Sequence, residues 1–193
     1  LVGSEMCIRD RGADVSIIDK SIHRLYELDN LYGPRLKTLY STAEAIHRNV
    51  TQADLVIGAV LIPGAAAPRL VTRQMVSEMK RGAVMVDISI DQGGCFENSR
   101  PTSHAEPIYE VDGVIHYCVT NMPGAVARTS TFALGNATLP YIVALVQKGW
   151  RGALLENMHF RHGLNVAQGK ITHKAVAEAQ NLPFAAPDDV LHA

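Results

Sequence analysis

No C-x-x-C pair occurs in the sequence, and its three cysteines, Cys7, Cys95 and Cys118, are odd in number and far apart. That excludes a disulfide framework and a zinc ribbon and suits a reducing compartment, the cytoplasm by default. Charge of one sign is not in excess either: 18 Lys and Arg stand against 19 Asp and Glu, a net charge of -1. Without a broad positive field the chain is not built to hold nucleic acid or an anionic membrane, and any phosphate must be bound locally. Long unbroken apolar runs are missing too. Residues 53–67 are interrupted by Gly58, Pro63 and Gly64, short of the roughly 20 residues that span a bilayer, so no membrane anchor is expected. Residues 1–11 lack the charged-then-apolar order of a signal peptide. Their string, LVGSEMCIRDR, resembles a translated sequencing-adapter tail and is expected to be foreign to a native chain that starts near Gly12.

What is present is the composition of an ordinary globular enzyme, 47% hydrophobic and 19% charged, with enough chain for one α/β core and an appendage. The run ADVSIID reads as a strand, and Ser21 then caps a periodic helix, residues 22–32. The cycle repeats with LKTLYS and a helix over 42–52, then with ADLVIGAV, a Pro/Gly-rich loop at 63–68 and a helix over 72–80. It repeats again with AVMVDIS, a turn at Gly93 and Gly94, and the strand VIHYCV. Short apolar strands alternating with helices predict a doubly wound parallel sheet, because parallel neighbours need long crossovers. Beyond it, residues 129–148 read as a long apolar helix that Pro140 should kink, followed by a second helix over 150–157. A short strand, a final helix capped near Thr172 and a Pro/Asp-rich tail complete the chain. The expected domains are a nucleotide-type sheet over 12–128 and a connecting helix with part of a second domain over 129–193.

In a doubly wound sheet ligands sit beyond the carboxyl ends of the strands. Asp19 stands at the first of these ends, where a carboxylate can accept from both ribose hydroxyls of an adenosine and repel a 2′-phosphate. That favours NAD, although Lys20 and Arg24 leave NADP open, and capping the helix that follows would explain Asp19 as well. Ser41 ends the second strand, as a ligand to adenine or ribose or as a turn residue. Val60, Leu61, Pro63 and Gly64 follow the third. The fourth leads through Asp87, Ile88 and Ser89 to Asp91, Gln92, Gly93 and Gly94, where a carboxylate beside paired glycines can handle a proton or simply start a turn. The fingerprint G-x-G-x-x-G is absent, and with it the turn that holds a pyrophosphate; the sheet is expected to lack its first strand. His159 and His162 have helical spacing but no convergent third ligand, so no metal site is expected.

The stretches GADVSIIDKSIHRL, ADLVIGAVLIPGAAAPRLVT, MVDISIDQGGCFENSRPTSHAEPIY and YCVTNMPGAVARTSTFALGNATLPY resemble the alanine dehydrogenases over residues 12–184. The resemblance implies an NAD-dependent enzyme that converts L-alanine to pyruvate and ammonia, in the cytoplasm, as a homohexamer. It implies that Asp19, Arg24 and Ser41 hold the adenosine part of NAD, and that Val60 and Leu61 lie along the cofactor. Ile88, Ser89, Ile90 and Asp91 would border the nicotinamide, Asp91 as catalytic acid/base. Arg100 would be a further contact and Val119, Thr120, Asn121 and Met122 the last wall. The related transhydrogenases share the double glycine but lack the aspartate of SIDQGG, which makes a transhydrogenase subunit the second expectation. The family's substrate-binding arginine and lysine and its catalytic histidine lie in an N-terminal domain without counterpart here. The chain alone is therefore expected to be inactive, a third reading being a non-catalytic binding or oligomerisation fragment, and poorly soluble.

Overall fold

The computed structural model describes residues 11–60, 62 and 66–192. They form two compact units, one made by residues 11–60 and 67–120 and the other by 62, 66 and 121–192. The first is an α/β unit. Strand β1 (Ser16–Asp19) leads into helix α1 (Ile22–Tyr32), β2 (Lys37–Tyr40) into α2 (Ala43–Gln52), and β3 (Leu55–Gly58) into the short α3 (Arg73–Ser77). Strand β4 (Val84–Asp87), a 3-10 turn over Ile88–Gln92, and strands β5 (Ile108–Val111) and β6 (Val114–Tyr117) follow.

Each of these three helices starts where a short hydroxyl side chain can accept an otherwise unpaired N–H. Ser21 accepts from Arg24 N, Thr42 from Ala45 N and Thr72 from Met75 N. Strand β1 pairs in parallel with β2, and β3, β4 and β6 pair in parallel in that order, so their carboxyl ends bring Gly58, Asp87 and Tyr117 to one edge. Among the described residues β1 and β3 belong to different sheets. Leu55 and Ile57 of β3 remain 44% and 36% exposed, unusual for a parallel strand, which is normally covered on both faces.

The main core lies over β3 and β4, where Val50, Val71, Val76, Met79, Met85, Phe96 and Val114 close on one another, while Leu28, Tyr32 and Leu36 pack with Val15 and Ile17 beneath α1. Fully burying side chains of this size stabilises the unit by about 1.5–3 kcal/mol each before entropy is counted.

One strand went unread in the sequence. The run IYEVDGVIHY is an antiparallel hairpin in which β5 pairs with β6, turning at Asp112 and Gly113 with φ of 54° and 83°. Two positive φ values are what the strand twist asks of a two-residue turn, and Asp-Gly supplies them.

The second unit opens with helix α4 (Ala127–Glu156), then α5 (Met158–Arg161), a hairpin of β7 (Val166–Ala167) and β8 (Lys170–Ile171), α6 (Lys174–Gln180) and α7 (Pro187–Leu191). The backbone keeps helical dihedrals through Pro140 and leaves them at Gly149, with φ 68° and ψ 163°, between the two helices expected over 129–148 and 150–157. A positive φ suits glycine, whereas the proline in mid-helix forfeits one hydrogen bond without ending the helix.

The expectation that no segment has membrane-spanning length is corrected too, since Met122–Glu156 is long and apolar enough by length and composition. Its charges, Arg128, Lys148, Arg151 and Glu156, lie near its ends, while Thr, Ser, Gly and Asn interrupt the apolar run without charging it. The final helix α7, hidden in the Pro/Asp-rich tail, has Pro187 in its first turn and Asp189 accepting Ala186 N at 3.2 Å, an arrangement that starts helices.

Candidate functional site

The residues singled out in the sequence fall into three local groups at strand ends. In the first, Asp19 ends β1 and its Oδ1 accepts Ser21 N–H at 2.7 Å, while its carbonyl oxygen accepts Ser41 N–H at 3.0 Å. Asp19 thus shapes the turn into α1 through one oxygen, and Ser41 stands directly beside it. Arg24 sits one turn into α1, its guanidinium 2.8 Å from Glu27, an exposed pair that holds the Glu27 carboxyl below its ordinary value through that hydrogen bond. To reach a ligand at Asp19, Arg24 must exchange this partner, which costs little because exposed ion pairs are weak.

The second group is the loop after β4 together with Val60 after β3. Asp87 is fully buried and accepts Ser89 N–H at 2.9 Å, starting the 3-10 turn. Ser89 and Ile90 point inward and are buried, whereas Ile88 and Asp91 stay exposed. Ser89 Oγ donates to the carbonyl of Val60 at 2.8 Å, fixing the two loops to each other. Gly93 and Gly94 turn the chain back with φ of 88° and 80°. The segment before α3 is stitched to the return: Ala67 N–H bonds Gln92 O at 2.9 Å, Leu70 N–H bonds Cys95 O at 2.7 Å, and Arg69 donates to Phe96 O. The net effect is a carboxylate, Asp91, presented to solvent at the carboxyl edge of a parallel sheet on a loop fixed at both ends. Leu61, Pro63 and Gly64, named with Val60 in the sequence, lie outside the described residues.

The third group is around Arg100. Its guanidinium lies 4.0 Å over the ring of Tyr109, and its backbone N–H donates to the Tyr109 hydroxyl at 3.0 Å. Tyr109 in turn donates to Asn98 O at 2.8 Å and stacks on His116 at 5.1 Å. Burial, with Cys118 beside it, raises the Tyr109 hydroxyl above its ordinary value. Burial likewise pushes the fully buried His116 down, against the pull of the Val114 carbonyl and Asp87. Val119 is buried and bridges Thr102, to whose carbonyl Thr120 N–H also points. Asn121 and Met122 open the second unit. Tyr109 was not singled out in the sequence, although the Asp-Gly turn that places it beneath Arg100 was legible there.

His159 and His162 stand edge to face with ring centroids 6.1 Å apart, and among the described residues no group of three or more His, Cys, Asp or Glu converges to hold a metal. Cys95 and Cys118 are buried, free thiols.

Comparison with known proteins follows the same outline. The model of the alanine dehydrogenase/PNT C-terminal domain matches residues 6–174. Alanine dehydrogenase of Halomonas elongata is 63% identical over 173 residues, covering 90% of this chain and 47% of its own length. That of Mycolicibacterium smegmatis is 53% identical with the same coverage. A solved L-alanine dehydrogenase superposes with a TM-score of 0.80 at 47% identity, over 92% of this chain and 49% of its own. A transhydrogenase from Sinorhizobium meliloti gives 0.66 at 26% identity, over 86% and 44%. The chain spans about half the length of the curated relatives it matches.

Proposed function

Because this chain belongs to the alanine dehydrogenase/PNT C-terminal domain family, we propose that it carries the nucleotide-binding half of an NAD-dependent alanine dehydrogenase, active once its upstream half is supplied. The observation that carries the reading is Asp91, exposed on a loop fixed at both ends at the carboxyl edge of the sheet, where doubly wound folds bind nucleotides.

The residues present suit the two ends of a dinucleotide. Asp19, with Ser41 beside it and Arg24 one turn on, would hold the adenosine. Asp19 would take the ribose hydroxyls and disfavour a 2′-phosphate, hence NAD. Val60, Leu61, the 88–91 backbone, Arg100 and residues 119–122 would border the rest, and the phosphate loop would lie in the half of the relatives' length this chain does not span. When bound, the cofactor supplies the hydride acceptor. L-alanine, NAD and water would give pyruvate, ammonium, NADH and one proton, the two electrons leaving the α-carbon together with its hydrogen as a hydride. Asp91 would manage the proton, in concert with side chains of the upstream half, in a site that closes to exclude water.

Residues 12–128 would form the nucleotide domain, and 129–193 a connecting helix and part of the substrate domain, of a soluble, cytoplasmic enzyme. Helix α4 exposes Phe132, Leu134, Leu139, Tyr141, Ile142 and Val146, an apolar surface that suits packing against the upstream half and against other subunits, up to a homohexamer. The test is alanine-dependent NADH formation by the complete reading frame, wild type against Asp91→Asn. Activity that collapses in the variant supports the reading, and nucleotide binding without alanine oxidation promotes a transhydrogenase subunit in its place.

A further inference from the structure

Asp87 ends β4 with no exposed surface, and a buried acidic side chain is costly to keep unless its oxygens find donors. Here the donors all come from one loop. Oδ1 accepts Ser89 N–H at 2.9 Å; Oδ2 accepts Cys95 N–H at 2.8 Å and the Ser99 hydroxyl at 2.5 Å, with Phe96 N–H farther off at 3.4 Å. Cys95 Sγ adds a contact to Oδ1 at 3.5 Å, and burial together with the neighbouring Asp87 pushes that thiol up to about 12, so it faces the carboxyl group as S–H. The approach depends on Gly94. A Cβ there would lie 2.7 Å from Asp87 Oδ2 and 2.6 Å from Ser99 Cβ.

The loop therefore leaves the sheet and returns to the side chain it started from. Residues 88–92 hang between that closure and the Ser89 to Val60 hydrogen bond, and Asp91 has little freedom left in where it emerges. Asp87 itself is too deep to touch a ligand.

From this geometry we infer that Asp87 is the positioning residue of the site: by gathering donors from residues 89, 95 and 99, its carboxyl group sets where Asp91 and the 88–91 backbone meet the nicotinamide end of the cofactor. The inference rests on the reading of Asp91 given above. Asp87→Asn keeps the volume but turns one acceptor oxygen into an NH2 aimed at groups that already donate, so the loop must shift. Misplacing a catalytic group by about 1 Å can cost about 100-fold in rate.

The experiment uses the complete protein. NADH and ADP-ribose, which lacks the nicotinamide ring, are titrated by fluorescence into wild type, Asp87→Asn and Ser99→Ala, and alanine oxidation is followed alone and in the Asp91→Asn background. Asp87→Asn is expected to weaken NADH by about fivefold or more, leave ADP-ribose within about twofold, and lower kcat by about 10- to 100-fold with the KM for alanine held within about threefold. In the Asp91→Asn background its further loss is expected to shrink below about threefold, because residues acting as one unit are not additive. Ser99→Ala removes one partner and should show the same pattern at smaller size; it decides the matter if Asp87→Asn does not fold. Equal weakening of NADH and ADP-ribose, or losses that multiply with Asp91→Asn, would overturn the inference. Wild-type protein that binds NADH yet oxidises no alanine fails the dehydrogenase reading alone, since the two nucleotides still judge Asp87. Wild type that binds neither sinks both.

Discussion

Ser89 Oγ donates to the carbonyl oxygen of Val60 at 2.8 Å, so the loop that presents Asp91 is tied to the loop that leaves β3. Ser89 is 6% exposed, and Ser89→Ala leaves the Val60 carbonyl without that donor. A loss of about 1–2 kcal/mol is expected in urea unfolding, along with weaker NADH binding. Unchanged stability would mean that the two loops are held by other contacts.

The paired glycines separate conformational strain from crowding. Both have positive φ, but a Cβ on Gly93 meets nothing within 4 Å, whereas one on Gly94 collides with Asp87 and Ser99. Gly93→Ala should cost about 1–2 kcal/mol for the left-handed backbone alone. Gly94→Ala should cost clearly more, and calorimetry of the two variants would show the order. The reverse order would contradict the loop described.

His116 predicts a pH dependence of a given sign. Its folded pKa lies below the ordinary value because burial disfavours the cation, so the unfolded chain binds the proton first. Stability contributed by keeping His116 neutral is fully present above the unfolded value of about 6.5 and is lost as pH falls from there toward the lower folded pKa. Urea unfolding between about pH 7.5 and 5 should therefore lose more stability in wild type than in His116→Gln. Parallel curves would show that protonation of His116 is not coupled to folding.

Cys95 should be inert to alkylation in the folded protein. With a pKa of about 12 its thiolate fraction near pH 8 is roughly one in ten thousand, and only the thiolate reacts. Peptide mapping after iodoacetamide should find Cys95 modified in denaturant and not before it. Labelling at equal rates in both conditions would contradict its burial.

These residues also show what a sequence discloses. Helix α1 was legible to the residue and α2 to within one, because their cause is local: Ser21 and Thr42 cap them, and the apolar period follows at once. The β5–β6 hairpin was equally local, announced by Asp112–Gly113 between two β-rich runs, and was missed by reading only its second strand. The break at Gly149 falls between the two helices read over 129–148 and 150–157, whereas the kink expected at Pro140 leaves no departure from helical dihedrals there. Asp91 could be named as a candidate from its place after an apolar run beside two glycines. The grip of Asp87 could not, because its donors lie two, eight, nine and twelve residues away and converge only once Gly93 and Gly94 have turned the chain. The layer of Arg100, Tyr109 and His116 was hidden for the same reason, since it spans a hairpin rather than a stretch of sequence.

The most direct test of the central claim is the fate of the α-hydrogen. L-alanine deuterated at Cα is incubated with NAD and the complete protein, and the reduced cofactor is examined by mass spectrometry. The account predicts one deuterium carried into the reduced cofactor, pyruvate formed in equal amount, and near-complete loss of both in Asp91→Asn. Reduced cofactor without deuterium, or no reduction by alanine from protein that binds NADH, would contradict it.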